Sequence, residues 1–232
     1  MRIVAITLAV WALAAAIGHA QILIGQTDNF QDGTTQGWQA GGTNPGPINV
    51  ATGGPAGTGD RYLQIATNGA ISGPGSRLAA FNLNQWVGNY SMNNITAIAM
   101  DMQNFNVPTP LSVRIAFKQG AGFSAPGYLS EPFLLPNDGQ WHNVVFPLTP
   151  GQFSAVNSPG AFADVLSGTF SEFWIIHTVD VDFFGDSTAP VAAQLGIDNI
   201  TAIPEPSSLV LVGFGVGGWA YRRRKKVSGQ IG

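Results

Sequence analysis

The sequence predicts an all-β protein, a two-sheet antiparallel β-sandwich of the jelly-roll type, with a hydrophobic segment at each end. Three observations carry that expectation. Between residues 21 and 203, β-branched and aromatic runs alternate with clusters of Gly, Pro, Asn and Asp, the signature of short strands joined by turns. Helical periodicity is nearly absent over the same stretch. No helix-sized segments separate the runs, so the crossovers that parallel sheets need are missing, and tandem antiparallel strands remain.

The strands fall in order. Asp28–Phe30 and Gly37–Ala40 open the domain, followed by Arg61–Thr67 and Ser76–Asn82. In Thr96–Asn104, Ala97, Ala99, Asp101 and Gln103 stand opposite Ile98, Met100 and Met102. In Leu111–Lys118, Leu111, Val113, Ile115 and Phe117 point one way, and Ser112, Arg114, Ala116 and Lys118 the other. Such period-two alternation implies one buried and one wetter face. Tyr128–Leu134, His142–Pro147, Glu172–Thr178 and Gln194–Ile203 complete the set. One short helix is expected at Ala161–Leu166, between Pro159-Gly160 and Gly168. Two long loops, Gly41–Gly59 and Gln119–Gly127, are candidates for function or mobility.

The ends read differently. Arg2, the apolar stretch Ile3–Ile17 and the small residues Gly18 and Ala20 describe a secretory signal peptide over residues 1–20. At the other end, Pro204-Glu205-Pro206 can continue neither strand nor helix, because proline fixes φ and lacks a donor. An apolar run, Leu209–Tyr221, follows, and then the basic cluster Arg222, Arg223, Arg224, Lys225 and Lys226, which stays on the cytoplasmic side of a membrane. The run is short for a spanning helix of about 20 residues. It also contains four glycines, which suits a temporary anchor. The three parts resemble the PEP-CTERM sorting signal, over residues 204–227. The resemblance implies export, a transmembrane sorting helix, processing by exosortase, and a final place in the cell envelope, outer surface or extracellular matrix.

Residues 21–203 form one domain with a sizeable core. They carry Arg61, Arg77, Arg114 and Lys118 against twelve acidic side chains, a formal charge of −8. An acidic domain without a basic stripe argues against nucleic acid as a partner. The chain has no cysteine, so disulfides, thiol catalysis and Cys-ligated zinc are excluded.

Three phrases, DNFQDGTTQGWQAGG, NDGQWHNVVFPL and LGIDNITAI, resemble in this order the carbohydrate-binding modules and related galactose-binding-like jelly rolls. In such folds the first and last strands are neighbours and often hold a structural calcium. The resemblance therefore implies a calcium at Asp28, Asp32, Asp60 and Asp198, acids placed at turns or inside an apolar strand. Asp180, Asp182 and Asp186 read as a solvated loop tip. For glycan, Trp86 and Tyr90 in the polar stretch NQWVGNY are the expected exposed aromatics, with Tyr128 third. Trp38, Trp141 and Trp174 read as core aromatics. Catalysis finds little support: His142 and His177 lack metal-ligand spacing, and no nucleophile elbow or phosphate loop occurs. The leading expectation is a non-catalytic exported protein that binds glycan or matrix components. The alternatives are a polysaccharide-acting glycosidase or lyase using carboxylates, and a self-assembling matrix protein.

Overall fold

The structure is a computed structural model that describes residues 21–41, 45–70, 72, 76–105, 109–183 and 191–205. The expected signal peptide, the apolar run, the basic cluster, Pro206 and Asp186 lie outside the described residues. Thirteen strands occur among those described: β1 Thr27–Asp28, β2 Trp38–Gln39, β3 Ile48–Val50, β4 Tyr62–Asn68, β5 Ala79–Asn82, β6 Ile95–Phe105, β7 Leu111–Lys118, β8 Gly127–Ser130, β9 Phe133–Leu135, β10 His142–Pro147, β11 Phe153–Val156, β12 Glu172–His177 and β13 Ala192–Pro204. They form two antiparallel sheets packed as a sandwich. One has the order β10-β6-β13-β4-β3, with β1 also paired to β13. The other has the order β11-β8-β7-β12-β5-β2, with β9 also paired to β7.

Alternation in sequence becomes sidedness in the sheets. Ile98, Met100 and Met102 of β6, Leu63 of β4, and Leu195 and Ile197 of β13 face Val113, Ile115 and Phe117 of β7 and Phe173 and Ile175 of β12 in one core. The first and last strands are neighbours, with Thr27 opposite Thr201 and Asp28 opposite Ile200. Two strands are additional to those expected, β3 inside the loop Gly41–Gly59 and β11 after His142–Pro147, and the single strand expected over Tyr128–Leu134 is split into β8 and β9. The expected helix is one turn, Phe162–Asp164, that widens into Val165–Thr169.

The expected wetter face of β7 is not wet. Arg114 and Lys118 are both buried. Ala116, Leu129, Val156, Trp174, Ile176 and Phe183 form a second apolar cluster on that outer face, with Phe123 packed against it. Phe123 and Phe183 come from the loops after β7 and after β12, which fold back over the sheet. Strand periodicity reports which face a side chain takes, and not whether a distant loop will cover it. Beneath those loops the Lys118 ammonium lies 3.1 Å from Glu172 Oε2 and 4.0 Å above the Trp174 ring, while Trp174 Nε1–H donates to the same oxygen at 2.7 Å.

Candidate functional site

The other outer face, on the six-stranded sheet, is built around a gap. Leu195 and Ile197 point into the core, so Gly196 between them faces outward. A Cβ on Gly196 would lie 2.7 Å from Phe105 Cε2 and 2.8 Å from Trp141 Cη2, so only glycine lets these rings approach the sheet. Tyr62 joins them. Its ring stacks on Phe105 at 5.8 Å and meets Trp141 edge-on at 5.3 Å. Phe105 ends β6, Tyr62 begins β4 and Trp141 precedes β10, so three strand ends converge on one glycine. The loop over residues 51–60 closes one side, where Trp141 Nε1–H donates to the Gly53 carbonyl at 3.1 Å. That loop is tight because a Cβ on Gly54 would lie 2.6 Å from Asp60 Oδ2.

Polar groups adjoin the aromatic cluster. Gln64 and Gln103 are the cross-strand neighbours of Gly196. Asp101 accepts from Asn143 Nδ2 at 2.9 Å and from Asn199 Nδ2 at 2.8 Å. Asn199 reaches it because β13 bulges between Asp198 and Thr201, with Asn199 in the left-handed region at φ +49°. Asp198 stands opposite Asp101 and is fully buried. Its Oδ1 accepts the Asn199 N–H at 2.8 Å, and its Oδ2 has no protein partner. Burial, reinforced by the charges of Asp60 and Asp101 and opposed by the Asn199 N–H, pushes its pKa up from 3.8 to about 7.

The structure disperses the four acids expected to share calcium. Asp28 is turned into the core by its pairing with inward-facing Ile200. There its Oδ2 accepts Trp38 Nε1–H and Trp86 Nε1–H, each at 2.7 Å, and Gln85 Nε2–H at 3.1 Å. Burial raises its pKa, and these donors hold it back. Asp32 closes an exposed turn by accepting the Thr34 N–H at 2.8 Å, which lowers its pKa. Asp60 is engaged by Gln31 Nε2 and the Ala56 N–H, each at 2.7 Å. Asp198 takes the opposite face of the sheet from Asp28. Among the described residues, no group of three or more His, Asp or Glu side chains is placed to hold a metal ion.

The expected glycan aromatics are also relocated. Trp86 and Tyr90 are completely buried, not exposed. Trp86 stacks on Phe173 at 5.7 Å, and the Tyr90 hydroxyl donates to the Trp86 carbonyl at 2.9 Å. Their polar sequence neighbours mark a turn whose aromatics fold inward onto the buried carboxylate of Asp28. Tyr128 keeps partial exposure, with its hydroxyl donating to the Gly160 carbonyl at 2.8 Å and its ring edge-on to Phe162 at 5.0 Å. Trp141, read from sequence as a core residue, is instead on the outer face. The one sequence signal for this site is Gly196, a lone glycine inside an apolar strand.

Solved structures similar to the chain include an exo-beta-agarase, at 12% identity and a TM-score of 0.49 over 82% of this chain and 25% of the agarase. The family 11 carbohydrate-binding module from Clostridium thermocellum, in complex with a beta-1,3-1,4-mixed-linked tetrasaccharide, matches at 16% identity and a TM-score of 0.47, over 78% of this chain and 97% of that module. The tandem CBM22 domains from Paenibacillus barcinonensis Xyn10C match at 17% identity and a TM-score of 0.45, over 84% of this chain and 49% of theirs. The chain thus spans about a quarter of the agarase and about half of the tandem. At these scores the likeness carries no weight for ligand or activity. No curated protein matches the chain. Residues 202–225 match the PEP-CTERM protein-sorting motif. The chain therefore carries the sorting signal of an exported envelope protein, joined to an antiparallel β-sandwich.

Proposed function

We propose that the domain is a non-catalytic glycan-binding module, delivered to the envelope or matrix by exosortase processing of its tail. Before processing, the apolar run Leu209–Tyr221 holds it at the membrane, with Arg222–Lys226 on the cytoplasmic side. The observation that carries the binding reading is the cluster of Tyr62, Phe105 and Trp141 on the outer face of the six-stranded sheet, beside amide and carboxylate side chains. Sugar rings present flat C–H faces that stack on aromatic planes, and their hydroxyls take hydrogen bonds from neighbouring polar groups. Trp141 and Phe105 keep partial exposure, and Gln194, Gln103 and Asn143 supply polar groups around them. A buried, unpartnered carboxylate oxygen such as that of Asp198 calls for an explanation, and a ligand hydroxyl is one.

The enzymatic alternative gains nothing from this geometry. Asp101 and Asp198 are neighbours on one sheet face and do not oppose each other across a cleft, as carboxylates flanking a glycosidic bond must. A glycan array followed by calorimetry on the best ligand tests the proposal. The chain should bind at least one polysaccharide without releasing reducing ends, and Trp141→Ala should weaken binding by about tenfold or more. Absence of any glycan ligand, or unchanged affinity in Trp141→Ala, would remove the proposal.

A further inference from the structure

The two ends of the folded domain meet at one pole. Near the start, Gln21 bridges to Asn89, and the Ile22 carbonyl accepts Asn93 Nδ2–H. The next turn is tied to the last strand, because the Gly25 N–H donates to the Ala202 carbonyl at 3.2 Å. At the end, Pro204 still pairs with Ile95, and the Glu205 N–H donates to the Asn94 carbonyl at 2.8 Å. The sorting motif therefore begins inside the sheet, with Pro204 and Glu205 held at this corner.

The same corner is apolar without being core. Leu23, Ile24 and Met92 are 60%, 62% and 69% exposed, among the most exposed large hydrophobic side chains of the domain. The segments 21–27 and 89–94 that display them contain no charged residue. Isolated exposed apolar residues need no explanation, but three on adjoining turns of an acidic domain form a patch. Only three residues separate Glu205 from the start of the apolar run at Leu209, too few to carry the domain more than about 14 Å from where that run begins.

We propose that this pole, Leu23, Ile24 and Met92, docks on the lipid bilayer while the unprocessed tail is embedded in it. The proposal rests on the membrane reading of residues 207–227. The short connection places the patch at the interface, where exposed apolar side chains are buried among acyl chains. Docking is apolar and not electrostatic, since no lysine or arginine lies in either segment, so it requires neither anionic lipid nor low salt. It also orients the sandwich. Gly196 lies eight residues up β13 from Pro204, roughly 26 Å at about 3.3 Å per residue, so the aromatic face stands clear of the membrane. Release of the tail by processing frees the patch.

The absence of cysteine makes single-site labels unambiguous. Spin labels are placed at Met92→Cys and Ile24→Cys, with Thr109→Cys, exposed in the turn after β6 at the far end of that strand from Ile95, as control. The full chain is expressed with its signal peptide in a Gram-negative host lacking exosortase and recovered with its tail intact. It is then reconstituted in phosphatidylcholine vesicles in 0.5 M salt, conditions that screen charge. Relaxation by a water-soluble nickel complex should be about fivefold weaker at 24 and 92 than at 109, with oxygen relaxation enhanced. Equal nickel accessibility at 92 and 109 in protein that floats with vesicles overturns the docking and leaves the tail reading standing. Failure to float overturns both. Shielding at 92 from nickel and oxygen alike, already present in detergent, assigns the patch to a second copy of the chain and overturns the docking as well.

Discussion

Beneath the loops on the seven-stranded sheet, Glu172 Oε2 is shared by the Lys118 ammonium and the Trp174 indole. On the six-stranded sheet, Asp198 is just as deeply placed, yet one of its oxygens has no partner. Both carboxylates sit on outer sheet faces, and both are covered by something other than the core. They differ in what covers them. The first face is sealed by aliphatic and aromatic side chains, Phe123 and Phe183 among them, and its charges have partners: Lys118 pairs with Glu172, and Arg114 donates to the Thr178 and Ser130 carbonyls. The second carries three rings, two of them partly exposed, over a glycine. A paired buried charge is explained by the fold alone, whereas an unpaired one costs stability that the fold does not recover. The contrast separates a face whose buried carboxylate the fold satisfies from a face whose buried carboxylate it leaves with a free oxygen.

The strongest way to break that contrast is to unpair the first face. Glu172→Ala leaves the Lys118 ammonium buried without its carboxylate and should cost about 3–5 kcal/mol in urea unfolding. Burial already lowers the Lys118 pKa, and Glu172 is what opposes that shift. The double variant Lys118→Met/Glu172→Leu should recover part of the loss, because a buried pair replaced by apolar groups of similar volume is close to neutral, while the Trp174 N–H still lacks its acceptor. A cost below about 1 kcal/mol for Glu172→Ala would mean that the loops open readily to water and that this face is not sealed.

Asp28 is the interior counterpart, and its expected effect comes next. Asp28→Ala strands two indole N–H groups in the core and removes one of the two acceptors of the Gln85 amide, which keeps the Gln36 carbonyl, for a loss of about 2–4 kcal/mol by the same measurement. Near-neutral behaviour would show that Trp38 and Trp86 find other acceptors.

The strand pattern was legible in sequence because its cause is local. Alternation in β6 and β7 sorts side chains by face whatever the rest of the chain does. Coverage is not local. Lys118 is charged and alternates outward, and only the return of Phe183, 65 positions later, makes its face an interior. Trp86 and Tyr90 mislead for the mirrored reason. Their neighbours are polar, but the carboxylate that draws the Trp86 indole inward lies 58 positions away at Asp28. The bulge after Asp198 likewise turns on a cross-strand partner, Asp101, 98 positions from Asn199. The sorting motif was legible because its signal lies in order and composition, which need no folding to be read.

The smallest expected effect sharpens the comparison most. In the folded chain Asp198 holds its proton up to about pH 7, while in the unfolded chain it loses it near the ordinary 3.8. Between those values the native state binds more protons, so rising pH favours unfolding. The contribution of Asp198 is therefore least unfavourable below about pH 4. It worsens as pH rises, and levels off above about pH 7. Asp198→Asn removes the charge at nearly constant shape. It should be neutral at pH 4 and stabilising by about 1 kcal/mol at pH 8, with solvent screening keeping the gain modest. Urea unfolding of both proteins at pH 4, 6 and 8 reads this directly. If the wild-type decline between pH 4 and 7 persists unchanged in Asp198→Asn, the strain belongs to another group. If the decline vanishes and glycan affinity falls with it, the unpaired oxygen is retained for its ligand at the expense of the fold.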